Sequence, residues 1–80
     1  MLQKNIIIFP NPTSGDIMIN SQENNITRIE VSNYLGQAIL MQEVSEPTNE
    51  IHLQDYKSGI YFLKIYNKEG QTVVKKLIKN

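Results

Sequence analysis

The sequence predicts an all-β fold, an Ig-like antiparallel β-sandwich of about seven short strands. Three observations carry that prediction. Apolar residues recur along the 80-residue chain with a period of two and not of 3.6, the alternation of half-buried strands. Ile, Val, Thr, Tyr and Phe, which suit a pleated surface, fill those stretches. Clusters of Gly, Pro, Asn and Asp separate them at intervals of roughly 8–12 residues, the rhythm of a sandwich.

Residues 6–9 read as a short buried strand that stops at Pro10, whose nitrogen has no hydrogen for a ladder. Pro10-Asn11-Pro12-Thr13-Ser14-Gly15 is a dense turn cluster, with φ fixed twice and side chains able to bond nearby backbone. Residues 16–20 resume as a strand with Ile17 and Ile19 on one face, and 21–25 form a polar loop. Residues 27–33 are the cleanest amphipathic strand: Ile29 and Val31 point one way, and Arg28, Glu30 and Ser32 the other. Tyr34-Leu35-Gly36 connects it to a partner strand over 37–44, with Gly36 at a position of positive φ. Both registers of that partner are apolar, so either Ala38 and Leu40 or Ile39 and Met41 face the core. A loop at 45–49 centres on Pro47, and residues 50–53 form a strand with Ile51 and Leu53 inward and His52 outward. Asp55-Tyr56-Lys57-Ser58-Gly59 is a corner. The strand over 60–66 then puts Tyr61, Leu63 and Ile65 on one face. Asn67-Lys68-Glu69-Gly70 turns the chain into a last strand over 71–78, and no internal repeat is visible.

Composition excludes most chemistries. Cysteine is absent and histidine occurs once, which removes disulfide frameworks, thiolate metal sites and cysteine nucleophiles. Eight basic and eight acidic side chains cancel, so capture of nucleic acid by net charge is not indicated. The longest clean apolar run, Ile6-Ile7-Ile8-Phe9, is far short of the ~20 residues that span a bilayer. No charged, apolar and small-residue leader pattern opens the chain. The expectation is a chain with no membrane insertion, no nucleic-acid partner, no cofactor and no catalysis of its own. Charge is nevertheless segregated. From Lys57 onward six lysines stand against Glu69 alone, a balance of +5, while the preceding residues carry −5. Lysines there either blunt an exposed terminal edge strand or make a cationic strip for a partner.

Three segments together resemble one family. They are Ile8-Phe9-Pro10-Asn11-Pro12-Thr13-Ser14-Gly15, the stretch Ile29-Glu30-Val31-Ser32-Asn33-Tyr34-Leu35-Gly36-Gln37, and a C-terminal half. The last comprises Leu53, Tyr56, Ser58-Gly59-Ile60-Tyr61-Phe62-Leu63-Lys64-Ile65 and the closing Lys75-Lys76-Leu77-Ile78-Lys79. Pro-Asn-Pro alone is a weak signal, but the order of all three segments is a strong one. They resemble the type A C-terminal sorting domain of the type IX (Por) secretion system of Gram-negative bacteria. On that resemblance residues 6–80 are the sorting domain and 1–5 a linker remnant or an artificial start.

The resemblance implies a transport signal at the end of a larger protein. It implies an N-terminal cargo domain on the same chain, passage through the periplasm, and recognition of the folded tail by the outer-membrane translocon with its shuttle and sortase components. Cleavage by the sortase would then leave the cargo secreted or on the cell surface. It also implies that the extreme C-terminus matters for export.

The residues assigned to partner recognition are Pro10, Asn11, Pro12, Gly59, Tyr61, Lys75, Lys76, Leu77, Ile78 and Lys79. Each also has a purely structural reading. Pro10-Asn11-Pro12 makes a rigid strand exit, Gly59 permits a tight corner, and Tyr61 plugs the core while its hydroxyl finds one partner. Lys75 to Lys79 form a cationic and apolar strand end whose edge another strand can read by β-augmentation. Removal of the last four residues is expected to block export while leaving most of the fold intact. Exposed edges also leave edge-to-edge self-association open. His52 reads as a solvated strand residue, and Asp16, Glu23, Glu30, Glu43, Glu46, Glu50 and Asp55 are scattered singly. The alternative function is a carbohydrate-binding or adhesive sandwich module. It needs exposed aromatic platforms, whereas most of Phe9, Tyr34, Tyr56, Tyr61, Phe62 and Tyr66 fall at core or corner positions.

Overall fold

A computed structural model describes residues 6–21, 26–44 and 48–80. The expected loops at 22–25 and 45–47 lie outside the described residues, as do residues 1–5. Seven strands and no helix are present among the described residues: β1 (Ile7–Phe9), β2 (Asp16–Asn20), β3 (Ile26–Asn33), β4 (Ala38–Glu43), β5 (Thr48–His52), β6 (Gly59–Asn67) and β7 (Thr72–Lys79). They form two antiparallel sheets with orders β1-β2-β5 and β4-β3-β6-β7. The all-β sandwich expected from the alternation is therefore the fold. Relative to a constant-type Ig domain, β4 has moved to the second sheet, where it pairs with β3.

The core is the set of positions the period of two selects. Ile17, Ile19 and Ile51 come from the first sheet, and Ile29, Val31, Leu63, Ile65 and Leu77 from the second. All are fully buried. Each such side chain contributes about 1.5–3 kcal/mol relative to exposure. Tyr61 is buried with them, and its hydroxyl donates to the Lys57 carbonyl at 2.5 Å. That is the tyrosine-corner arrangement of sandwich folds, in which a tyrosine near the start of a strand ties the preceding corner to the core.

Several expectations change in space. The strand at 6–9 is not buried throughout. Ile6 is inside and Ile8 packs on the core, but Ile7 and Phe9 are 51% and 45% exposed. β1 is an edge strand with one solvated face, so alternation persists through the apolar run. β5 begins at Thr48, inside the expected loop. Neither register proposed for β4 holds alone. A shift between Val31 and Ser32 leaves Ile39 unpaired, so Ile39 and Leu40 both pack against the core while Ala38 and Met41 are exposed.

A local repeat also emerges. The β3–β4 and β6–β7 turns are both Asn-X-X-Gly-Gln, over residues 33–37 and 67–71. In each, the glycine N–H donates to the asparagine carbonyl, at 2.9 and 3.1 Å, and Gly36 and Gly70 sit at φ 85° and 83°. In each, the asparagine Oδ1 accepts from two backbone N–H groups and its Nδ2 donates to the glutamine Oε1 at 2.8 Å. One side chain thus satisfies a whole turn.

Candidate recognition face

The ten residues assigned to recognition come from three distant segments, and the fold gathers them at one end of the sandwich. Pairing of β6 with β7 sets Gly59 opposite Lys79, Ile60 opposite Ile78 and Tyr61 opposite Leu77. Pro10-Asn11-Pro12 then lies along the outer edge of β7. The Asn11 side chain stands in for a peptide group: its Nδ2 donates to the Lys76 carbonyl at 3.0 Å and its Oδ1 accepts from the Ile78 N–H at 3.0 Å. Both X–Pro bonds of this segment are cis.

Thr13, which the sequence reading left inside a turn cluster, completes the clasp. Its N–H donates to the Ile78 carbonyl at 2.9 Å, and its carbonyl accepts from the Asn80 N–H at 2.8 Å. This makes a one-residue parallel bridge to Lys79. Its hydroxyl donates to the Asp16 carbonyl at 2.6 Å and accepts from the Gly15 N–H at 3.0 Å. Thr13 is 2% exposed. A β-branched residue in an otherwise turn-forming run was the available signal.

The strand end is less exposed than expected. Leu77 is fully buried and Lys79 is 8% exposed. Of Lys75 to Lys79 only Lys76 and Ile78, on the outer face, are exposed, Ile78 to 40%, and Lys75 is half-buried. Lysines therefore guard only part of this edge, and the clasp covers the rest. The expectation that removal of residues 77–80 leaves most of the fold intact meets a cost for the same reason. Truncation would empty a core position, which costs about 2–5 kcal/mol for a leucine side chain alone, and would remove both backbone partners of Thr13, Ile78 and Asn80.

On the other side of the corner, a cleft of about 330 Å³ opens beneath the β3–β4 turn, lined by Tyr34, Ile39, Tyr56, Gly59 and Ile60 among others. Tyr34 and Leu35 at the turn tip are 72% and 66% exposed. Gly59 itself adopts φ 150°, a conformation L side chains rarely take, although a Cβ there would meet nothing within 4 Å. Of the six aromatic rings Tyr34 and Phe9 are exposed, Tyr61 is buried, and Tyr56, Phe62 and Tyr66 are half-buried. Tyr34 lies in the β3–β4 turn and Phe9 on β1 of the other sheet.

The acids are not all isolated. Antiparallel pairing of β2 with β5 puts Asp16 opposite His52, and His52 Nδ1 lies 3.0 Å from Asp16 Oδ1 while Nε2 lies 3.7 Å from Glu50 Oε1. Sequence reading missed this because a cross-strand pair depends on register. The hydrogen bond to Asp16 foremost, with the charges of Asp16 and Glu50, holds the exposed imidazole above its ordinary value of 6.5. One ligand atom from each of the three lies within 4.8 Å of the others, the donor set nearest to a metal site among the described residues. Both imidazole nitrogens face carboxylates on a solvated face, an ion pair when the imidazole is protonated.

Comparison with known proteins decides what this end of the molecule belongs to. A family model described as "Secretion system C-terminal sorting domain" matches residues 7–80. The chain belongs to that family. The match takes in the Pro-Asn-Pro clasp, the tyrosine corner and the terminal strand together. The family is one of sorting signals and not of catalysts. A curated relative, an endo-acting ulvan lyase of Formosa agariphila, is 28% identical over 79 residues, which is 98% of this chain and 15% of that enzyme. The sorting domain thus spans only a small part of the relative it matches.

Proposed function

We propose that this domain is a C-terminal export and surface-sorting signal with no catalytic activity, recognised in its folded form by the type IX translocon. In this reading an N-terminal cargo on the same chain crosses the periplasm, passes the outer membrane with the tail, and is parted from it by a surface sortase. The supporting observation is the family match over residues 7–80. The geometry adds a reason for recognition in the folded form: clasp, corner and strand end are up to 69 positions apart in the chain, from Pro10 to Lys79, and meet only after folding. An unfolded tail would present none of this face.

The test is a fusion of residues 1–80 to a reporter carrying its own periplasmic signal peptide, in a host with the secretion system. Reporter in the medium or on the cell surface is expected. Reporter retained in the periplasm overturns the proposal.

A further inference from the structure

Every sheet edge of a sandwich is a row of backbone groups that some other strand can pair with, and this fold guards most of its edges. On β4 the bulge at Ile39 breaks the row, and the Tyr56 hydroxyl donates to the Ile39 carbonyl at 3.4 Å. On β5, Gln42 Nε2 reaches the Glu50 carbonyl at 3.5 Å. β1 is three residues long and ends at Pro10. The second half of β7 lies under Asn11 and Thr13.

Among the described residues, the first half of β7 has no such cover. The β6–β7 pairing runs without a shift from Tyr66–Thr72 to Gly59–Lys79. Because Ile78 turns both its N–H and its C=O away from β6, toward the clasp, the other even-numbered residues of this unbroken ladder do the same. The N–H and C=O of Thr72 and Val74 and the N–H of Lys76 therefore face outward, ahead of the point where Asn11 takes the Lys76 carbonyl. Val74 is 56% exposed. It stands opposite Lys64 on β6 and two residues from Lys76 on the same face. Lys75 flanks it on the other face, half-buried.

We infer that the β7 edge over residues 72–76 is a strand-docking site for an extended acidic segment of the export machinery. The inference rests on the sorting reading above and narrows it to a stretch of main chain. Main-chain bonds to Thr72, Val74 and Lys76 supply affinity, and alternate side chains supply selectivity. Acidic side chains on the incoming strand meet Lys64 and Lys76 on one face and Lys75 on the other. A second copy of this chain is the poorer occupant. Its own residues 72–76 hold no acid to meet Lys64, Lys75 and Lys76, and pairing two such edges brings a second set of lysines to a strip that is already positive.

The experiment uses the full chain fused behind a reporter in a host with the secretion system. Val74→Pro removes one outward N–H and leaves the β6–β7 bonds in place, a substitution edge strands tolerate. Thr72→Pro does the same at the first residue of the strand and serves if Val74→Pro does not fold. Met41→Pro is the control, since the parity of the β3–β4 pairing turns the Met41 N–H outward on the opposite edge of the same sheet. Exported reporter is expected to fall several-fold, to at most about tenfold, for the β7 variant that keeps its thermal transition, the change that loss of one main-chain bond gives, while Met41→Pro exports normally. Lys76→Glu is expected to lower export several-fold. Normal export by a folded β7 proline variant overturns the docking edge, and normal export by Lys76→Glu overturns the acidic partner. Periplasmic retention of the unmodified fusion strikes at the sorting reading instead.

Discussion

The Asn11 clasp yields the most direct prediction. Asn11→Ala removes two hydrogen bonds, one to the Lys76 carbonyl and one from the Ile78 N–H. A net hydrogen bond contributes about 0.5–1.5 kcal/mol, and the two backbone groups left behind can turn to water because the site is exposed. The expected loss is therefore about 1–2 kcal/mol. For an 80-residue domain, total stability is roughly 4–12 kcal/mol, so the loss is a sizeable fraction. It corresponds to a fall in Tm of about 4–16 °C, at about 4–8 °C per kcal/mol for this size. Denaturant titration with amide exchange is the assay, because the effect should be local as well as global. The Ile78 amide should lose protection, while amides of the β3–β6 ladder should change only by the global difference. Asn11→Asp keeps the acceptor for Ile78 but turns an oxygen toward the Lys76 carbonyl, so it should not restore stability. Unchanged Ile78 exchange together with an unchanged Tm would refute the idea that this side chain holds the terminal edge.

Tyr61→Phe keeps the buried ring but deletes its bond to Lys57; a loss of about 1 kcal/mol is expected by thermal denaturation. Gly59→Ala should cost about 1–3 kcal/mol through its φ of 150° alone, and an unchanged midpoint would show that the corner relaxes freely. The Asp16 hydrogen bond raises the His52 pKa above 6.5. The protonated form is therefore favoured in the folded state, so its contribution to stability is complete below the unfolded value and is lost as pH rises through the folded one. NMR titration should give a midpoint above 6.5 for His52 that falls back in Asp16→Asn.

The residues assigned to recognition were legible one by one, but their assembly was not. Gly59 and Tyr61 show themselves as a corner and a core plug through local spacing. Pro10 and Pro12 announce a turn by their chemistry. That Asn11 reaches Lys76 and Ile78, 65 and 67 positions along the chain, has no trace in either segment read separately. Thr13 was legible as a turn residue whose side chain bonds nearby backbone, but its one-residue bridge to Lys79 is too short for any period to show. The burial of Leu77 and Lys79 was not legible for a related reason. An alternating strand reveals which residues share a face, but not whether a distant loop closes over its edge.

Alternation of apolar and polar residues, punctuated by Pro, Gly and Asn, was enough to specify seven strands and most of the buried face. Those properties follow from backbone geometry and short-range chemistry, which any stretch of the chain carries within itself. Sheet order, the bulge that sets Ile39 beside Leu40, the Asp16–His52 pair and the clasp on β7 arose only in the folded molecule. Each depends on the register between strands far apart in the chain, which packing of the two sheets into one dry core selects.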